Sequence, residues 1–73
     1  MDDLIVYPNP SDNIILINGL EENEYLYQVL DISGRIVAKG ILQPNENLVD
    51  VSALSSGVYV LRVNEFYSRI VVE

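Results

Sequence analysis

Short apolar runs recur along this chain about every 8 to 12 residues, and turn-forming residues separate them, which is typical of a β-sandwich or barrel. Val, Ile, Leu and Tyr dominate the runs, and these side chains suit the pleated, half-buried surface of a strand. No segment has helical periodicity, so the pattern favours two packed antiparallel sheets. The predicted strands are Leu4–Tyr7, Asn13–Ile17, Glu24–Ile32, Arg35–Leu42, Leu48–Val51, Val58–Val63 and Phe66–Val72.

The period-two alternation of side chains predicts which residues form the core. Val58–Val63 alternates clearly, whereas Glu24–Ile32 is apolar on both of its faces, with Leu26, Leu30 and Ile32 on the second, so both faces are expected to be partly buried. The residues predicted to be mostly buried are Ile15, Ile17, Tyr27, Val29, Val37, Val49, Val51, Leu54, Tyr59, Leu61 and Val63.

The chain has 73 residues, which predicts one domain spanning residues 1–73. A domain of this size buries only about 60% of the surface that its unfolded chain exposes. The sequence contains no cysteine and no histidine, so neither a disulfide nor the usual metal ligands can reinforce the fold. The apolar core must therefore stabilise the domain alone.

The formal charge of −7, from eleven acids against four bases, argues against two kinds of partner. Nucleic-acid phosphates repel an acidic surface, because binding them depends on clustered Lys and Arg. Anionic membranes repel it for the same reason. No apolar run approaches the ~20 residues that cross a bilayer, so membrane insertion is not expected. The charge serves mainly to keep a small apolar domain in solution.

Catalytic groups are scarce in this sequence. A serine nucleophile needs a base, most often histidine, and the chain has none. The acids Glu21, Glu22 and Glu24 are typical of a solvated loop rather than of an acid–base pair. Together with Asp12 and Asp31 they could form a weak surface calcium site, although no EF-hand spacing is present. We predict no enzyme, no cofactor and no bound metal.

Three motifs remain, and they occur in a fixed order. The first is Val6-Tyr7-Pro8-Asn9-Pro10-Ser11, and the second is Leu30-Asp31-Ile32-Ser33-Gly34-Arg35-Ile36-Val37. The third runs from Val49 to Val63 and contains Leu54-Ser55-Ser56-Gly57-Val58-Tyr59. A short basic and apolar strand, Ser68-Arg69-Ile70-Val71-Val72, follows them.

In this order and spacing the chain resembles, over essentially its whole length, the C-terminal sorting domain of the type IX (Por) secretion system of Bacteroidetes. The resemblance implies an immunoglobulin-like β-sandwich that outer-membrane translocon components recognise and that a sortase then removes from its cargo. It also implies transit through the periplasm to the cell surface or the medium. The chain departs from the family at its end, because Val72-Glu73 stands where members often have a basic residue, although Arg69 fits the expected basic position.

The family motif residues have structural explanations as well. Asp31 can bond the backbone of the following turn, and Tyr59 can fill the core with its hydroxyl at the rim. The terminal strand is the better candidate for partner recognition, by strand addition or groove docking. We expect a monomer or a weak dimer. The partner-recognition residues are Arg69, Ile70, Val71, Val72 and Glu73; the mainly structural ones are Tyr7, Pro8, Asn9, Pro10, Asp31, Gly34, Arg35, Leu54, Gly57 and Tyr59.

Two other functions compete with the sorting signal. The first is a structural spacer or adhesion sandwich appended to an extracellular enzyme. The second is a carbohydrate-binding module, which the absence of tryptophan argues against.

Overall fold

The seven predicted strands are all present in the computed structural model, which describes residues 4–7, 13–20, 24–43 and 45–73. The described residues form no helix, so the protein is all-β. No described segment is a helix that could cross a membrane. The strands are β1 (Ile5–Tyr7), β2 (Ile14–Asn18), β3 (Tyr25–Leu30), β4 (Ile36–Leu42), β5 (Leu48–Asp50), β6 (Gly57–Val63) and β7 (Phe66–Val72).

The strands form two sheets in which every neighbouring pair is antiparallel. One sheet has three strands in the order β1-β2-β5, and the other has four in the order β4-β3-β6-β7. Short connections join β3 to β4 and β6 to β7, while the connections β2 to β3, β4 to β5 and β5 to β6 cross between the sheets. This arrangement is an immunoglobulin-like sandwich.

The core lies between the two sheets, because each contributes alternate side chains to one apolar cluster. Eight of the eleven residues predicted to be buried are buried, and Tyr27 and Leu54 are half-buried against the same cluster. Five further members, Leu4, Tyr25, Leu42, Ile70 and Val72, were not predicted. The cluster consists of Leu4, Ile15, Ile17, Tyr25, Val29, Leu42, Val49, Val51, Tyr59, Leu61, Val63, Ile70 and Val72.

The prediction that Val37 is buried is wrong, because a β-bulge displaces it. The register between β3 and β4 shifts after Val29, which pairs with Ala38, whereas Leu30 pairs with Ile36. Val37 is the extra residue of this bulge and remains exposed, while Ala38 packs against the core in its place.

The prediction that both faces of β3 are partly buried is also wrong in part. Leu26, on the second face, is 66% exposed, although Leu30 is half-buried. Ile32 lies outside the strand, because β3 ends at Leu30, and its side chain is 87% exposed in the following turn.

A close approach between β3 and β4 requires a glycine. Tyr27 pairs with Gly40, and its ring lies over the backbone of that glycine. A Cβ atom on Gly40 would lie 2.6 Å from Cε2 of Tyr27, well inside van der Waals contact. Because Gly40 has no side chain, the ring of Tyr27 can pack against its backbone at the edge of the core.

Candidate recognition strand and turn motifs

The terminal strand β7 lies at one edge of the four-stranded sheet, where β6 is its one partner among the described strands. Its register runs from Val63 opposite Phe66 to Gly57 opposite Val72 without a shift. A two-residue turn, Asn64-Glu65, joins the two strands, and this hairpin geometry fixes which side chains of β7 face the core.

The five residues predicted to meet a partner divide between the two faces of the sheet. Ile70 is fully buried and Val72 nearly so, and both belong to the core cluster. Arg69 and Glu73 are exposed and Val71 is half-buried on the outer face. The side chains of Ile70 and Val72 are therefore committed to the fold, which leaves Arg69, Val71 and Glu73 as candidates for contact.

Asp31 organises the turn between β3 and β4. Its Oδ1 accepts hydrogen bonds from the Ser33 amide at 2.9 Å, the Ser33 hydroxyl at 2.7 Å and the Arg35 amide at 3.0 Å. Its Oδ2 accepts a bond from the Arg35 Nε at 3.0 Å. Gly34 has a φ of 91° and donates its amide to the Asp31 carbonyl at 3.0 Å. The Asp-x-x-Gly-Arg motif is thus one hydrogen-bonded turn.

These bonds favour the charged carboxylate of Asp31 and hold its pKa well below the usual range. The Ser33 hydroxyl is the largest cause, followed by the Arg35 amide. The pKa of Asp50 is lowered in the same direction by hydrogen bonds from Ser52, whose amide lies 2.9 Å from Oδ1. Both carboxylates therefore stabilise the folded chain when they are ionised.

Tyr59 closes the connection between β5 and β6. Its hydroxyl donates a hydrogen bond to the Ser55 carbonyl at 2.6 Å, while the ring is buried in the core. A tyrosine early in this strand that bonds the backbone a few residues upstream is the tyrosine corner of immunoglobulin-like sandwiches. Leu54 packs against the core from the same connection, and Gly57, with a φ of 159°, begins β6 in a nearly extended conformation.

The first motif is only partly visible. Tyr7 ends β1 and is exposed, with Leu16 as its partner on β2. Pro8, Asn9 and Pro10 lie outside the described residues.

Asn64 is a structural residue whose role the sequence pattern did not predict. It adopts a left-handed φ of 52°, which Asn tolerates better than most residues. Its backbone N–H donates to the Leu26 carbonyl at 3.0 Å, and its side-chain Oδ1 accepts from the Leu26 backbone N–H at 3.2 Å. The backbone and side chain of one residue thus extend the ladder between β3 and β6 beyond the strand end. The Asn-Glu turn is visible in the sequence, but Leu26, the hydrogen-bond partner of Asn64, is 38 residues away.

The described residues provide no clustered donors for a metal ion. No three Asp or Glu side chains come together within the described ranges, and Asp12, Glu21 and Glu22 of the proposed calcium site lie outside them. Glu24 is exposed and accepts a hydrogen bond from the Gln43 Nε2 at 3.2 Å. The alternative of a weak calcium site, which the sequence left open beside the prediction of no bound metal, is therefore untested.

The turn at Asp31, the tyrosine corner and the paired sheets together define an immunoglobulin-like β-sandwich module with an edge strand as its last element. The family described as the secretion system C-terminal sorting domain matches residues 5–73, and the chain belongs to this family. The family is a sorting signal of the type IX secretion system, so a protein that carries it is exported to the cell surface or secreted. No curated protein matches the chain.

Proposed function

We propose that this chain directs an attached cargo protein through the periplasm and across the outer membrane by the type IX machinery. After export, a sortase separates the chain from its cargo. The chain performs no chemistry itself, and the outer-membrane translocon and the sortase are its protein partners. The observation that carries the proposal is the family match over residues 5–73.

Strand β7 is the proposed handle for the translocon. Its position at a sheet edge is the one from which β-sheets accept a further strand. Its outward side chains, Arg69 and Val71, are a base and an apolar group that a groove can recognise together. Ile70 and Val72 anchor the strand from the other side, so the handle is held in one register.

The proposal is tested with a fluorescent cargo fused to residues 1–73 and expressed in a type IX-competent host. We expect fluorescence at the cell surface or in the medium, and retention in an isogenic strain without the translocon. Retention of the fusion in the competent host as well would overturn the proposal. A fusion with the domain placed inside the cargo separates a sorting signal from a spacer, because only a spacer tolerates that position.

Deletion of Arg69–Glu73 should abolish export. Full export of the truncated fusion would exclude β7 as the handle. The structure shows why loss of export is not sufficient proof. The deletion also removes Ile70 and Val72 from the core and unpairs the first half of β6. A truncated domain is therefore expected to unfold, whatever its terminal residues contact.

The sharper variant is Arg69→Ala with Val71→Ser, which alters only outward side chains of β7. We expect strongly reduced export with a melting temperature close to the wild type. The matched control is Ile5→Ser with Leu48→Ser, which changes exposed side chains on the other sheet and should leave export unchanged. Equal export of both variants would exclude β7 as the handle.

A further inference from the structure

The outer face of the four-stranded sheet is apolar and basic, on a chain that is otherwise acidic. Leu26 and Ile41 are more than half exposed there, and Tyr67 is 61% exposed. Lys39, Arg62 and Arg69 point outward from three strands of the same sheet. These six residues define the basic apolar face.

The charges of this face are segregated from the rest of the chain. Three of the four bases in the sequence lie on it, and the fourth, Arg35, is bonded to Asp31 in the turn. None of the outward-facing residues within β3, β4, β6 and β7, all of which are described, is acidic. The nearest carboxylate is Glu65 in the β6–β7 turn, which lines one groove with Leu26, Gln28 and Arg62. On a molecule of net charge −7, the strands of this face therefore carry three bases and no carboxylate. Solubility alone does not require this separation, whereas steering of an acidic partner does.

The register aligns part of the face into one row across the sheet. Lys39 is opposite Gln28, Gln28 is opposite Arg62, and Arg62 is opposite Tyr67. With strands ~4.8 Å apart, this row is ~14 Å long. The guanidinium carbon of Arg62 lies 5.6 Å from the centre of the Tyr67 ring, and its Nε donates to the Asn64 carbonyl at 2.9 Å. The arginine is thus held in place before any partner arrives.

We propose that the basic apolar face docks against an apolar protein surface rimmed by carboxylates, on a partner that the chain meets during sorting. This inference rests on the proposed function and assigns the partner's chemistry and the surface that it contacts. Arg69 belongs to both the face and β7, so one partner can cover both.

Other occupants fit the charges less well. A second copy of the chain packed through the same face in a two-fold dimer would bring bases against bases. Anionic lipid or polysaccharide presents an extended negative surface, which would also repel the acidic sides of a chain of net charge −7, whereas a local rim of carboxylates would meet the three bases alone.

The experiment places the photo-crosslinking residue benzoylphenylalanine at Gln28, the centre of the row, in the cargo fusion within a type IX-competent host. The contact peptide of each adduct is identified by mass spectrometry. We expect a protein adduct whose contact peptide carries several Asp or Glu residues, and no such adduct with the crosslinker at Ile14 on the opposite sheet.

Charge variants then test the assignment. Lys39→Gln with Arg62→Gln should lower the adduct yield about fivefold, the effect of losing two exposed ion pairs. The control, Asn18→Glu with Ser56→Glu, lowers the net charge by the same two units at exposed sites off the face and should leave the yield unchanged. Replacing the contacted carboxylates by lysine, with Lys39→Glu and Arg62→Glu on the chain, should restore the adduct. If the double variant melts at a lower temperature, Lys39→Gln alone is scored.

An adduct with a second copy, with lipid or polysaccharide, or with a peptide without acids would overturn the inference. Equal loss of yield in the control variant would overturn it too. Export of the same fusion is measured in parallel: normal export without an acidic adduct refutes this inference alone, whereas failed export of the unsubstituted chain refutes the proposed function and this inference with it.

Discussion

Leu61→Ala tests the packing of the sandwich most directly. Leu61 is in the middle of β6, fully buried between the sheets, with Val29 and Ser68 as its neighbours across the ladder. The change removes three carbons, worth about 0.8 kcal/mol each on transfer from water, or about 2.4 kcal/mol in all. A residual cavity raises the expected loss to about 2–5 kcal/mol.

This loss is large against the stability of so small a chain. At about 0.05–0.15 kcal/mol per residue, a chain of 73 residues unfolds with about 4–11 kcal/mol. The variant should therefore melt about 8–40 °C below the wild type, at about 4–8 °C for each kcal/mol lost. Urea unfolding followed by far-ultraviolet circular dichroism gives the free energy of unfolding and the slope m, which should stay unchanged if only the native state has lost contacts.

Leu26→Ala is the matched control, because it removes the same atoms from a leucine that is 66% exposed on the outer face of β3. Its free energy of unfolding should change by less than about 1 kcal/mol. If Leu61→Ala leaves the melting temperature intact, or if both variants lose the same stability, the assignment of faces to the four-stranded sheet is wrong.

Three further variants probe the turns and the glycine contact. Asp31→Asn should lower the melting temperature at pH 7, and the difference from the wild type should shrink as the pH falls below about 4. A carboxylate with a lowered pKa stabilises the fold above its ordinary pKa and loses that effect when it is protonated. A constant difference in melting temperature down to pH 2 would contradict this. Tyr59→Phe removes the bond to Ser55 and should cost about 0.5–1.5 kcal/mol in urea unfolding, whereas Tyr67→Phe should cost nothing measurable. Gly40→Ala should lower the free energy of unfolding by about 1–3 kcal/mol, measured by calorimetry. The loss should be smaller when Gly40→Ala is made in a Tyr27→Leu variant, which lacks the ring. Additive losses would show that the two residues do not interact.

Local chemistry made much of the fold predictable. The strands are separated by turn residues beside apolar runs, and Ser33-Gly34 and Asn64-Glu65, which fall between predicted strands, lie in turns. The hydrogen bonding of Asp31 was predictable as well, because its partners are within four residues of it. Where the partner is near in sequence, residue type and spacing were sufficient.

The errors arise where the partner is distant. Both faces of β3 and β4 are apolar, so alternation alone does not show which face meets the other sheet. Strand pairing decides which face is buried. Tyr25 and Leu42 are opposite each other and face inward, and Leu26 and Ile41 are opposite each other and face outward. The bulge at Val37 reverses the expected side, and the bonds between Asn64 and Leu26 join distant segments. None of these pairings is encoded in a local pattern.

The alternation in β7 also constrains how the sorting signal can operate. Ile70 and Val72 are needed to close the core, while Arg69 and Val71 face outward between them, so one stretch of chain serves both packing and the proposed recognition. Arg69 joins Arg62 and Lys39 on one face only when β7 is paired in its native register. A partner that reads this arrangement therefore distinguishes a folded domain from the same residues in an unfolded tail.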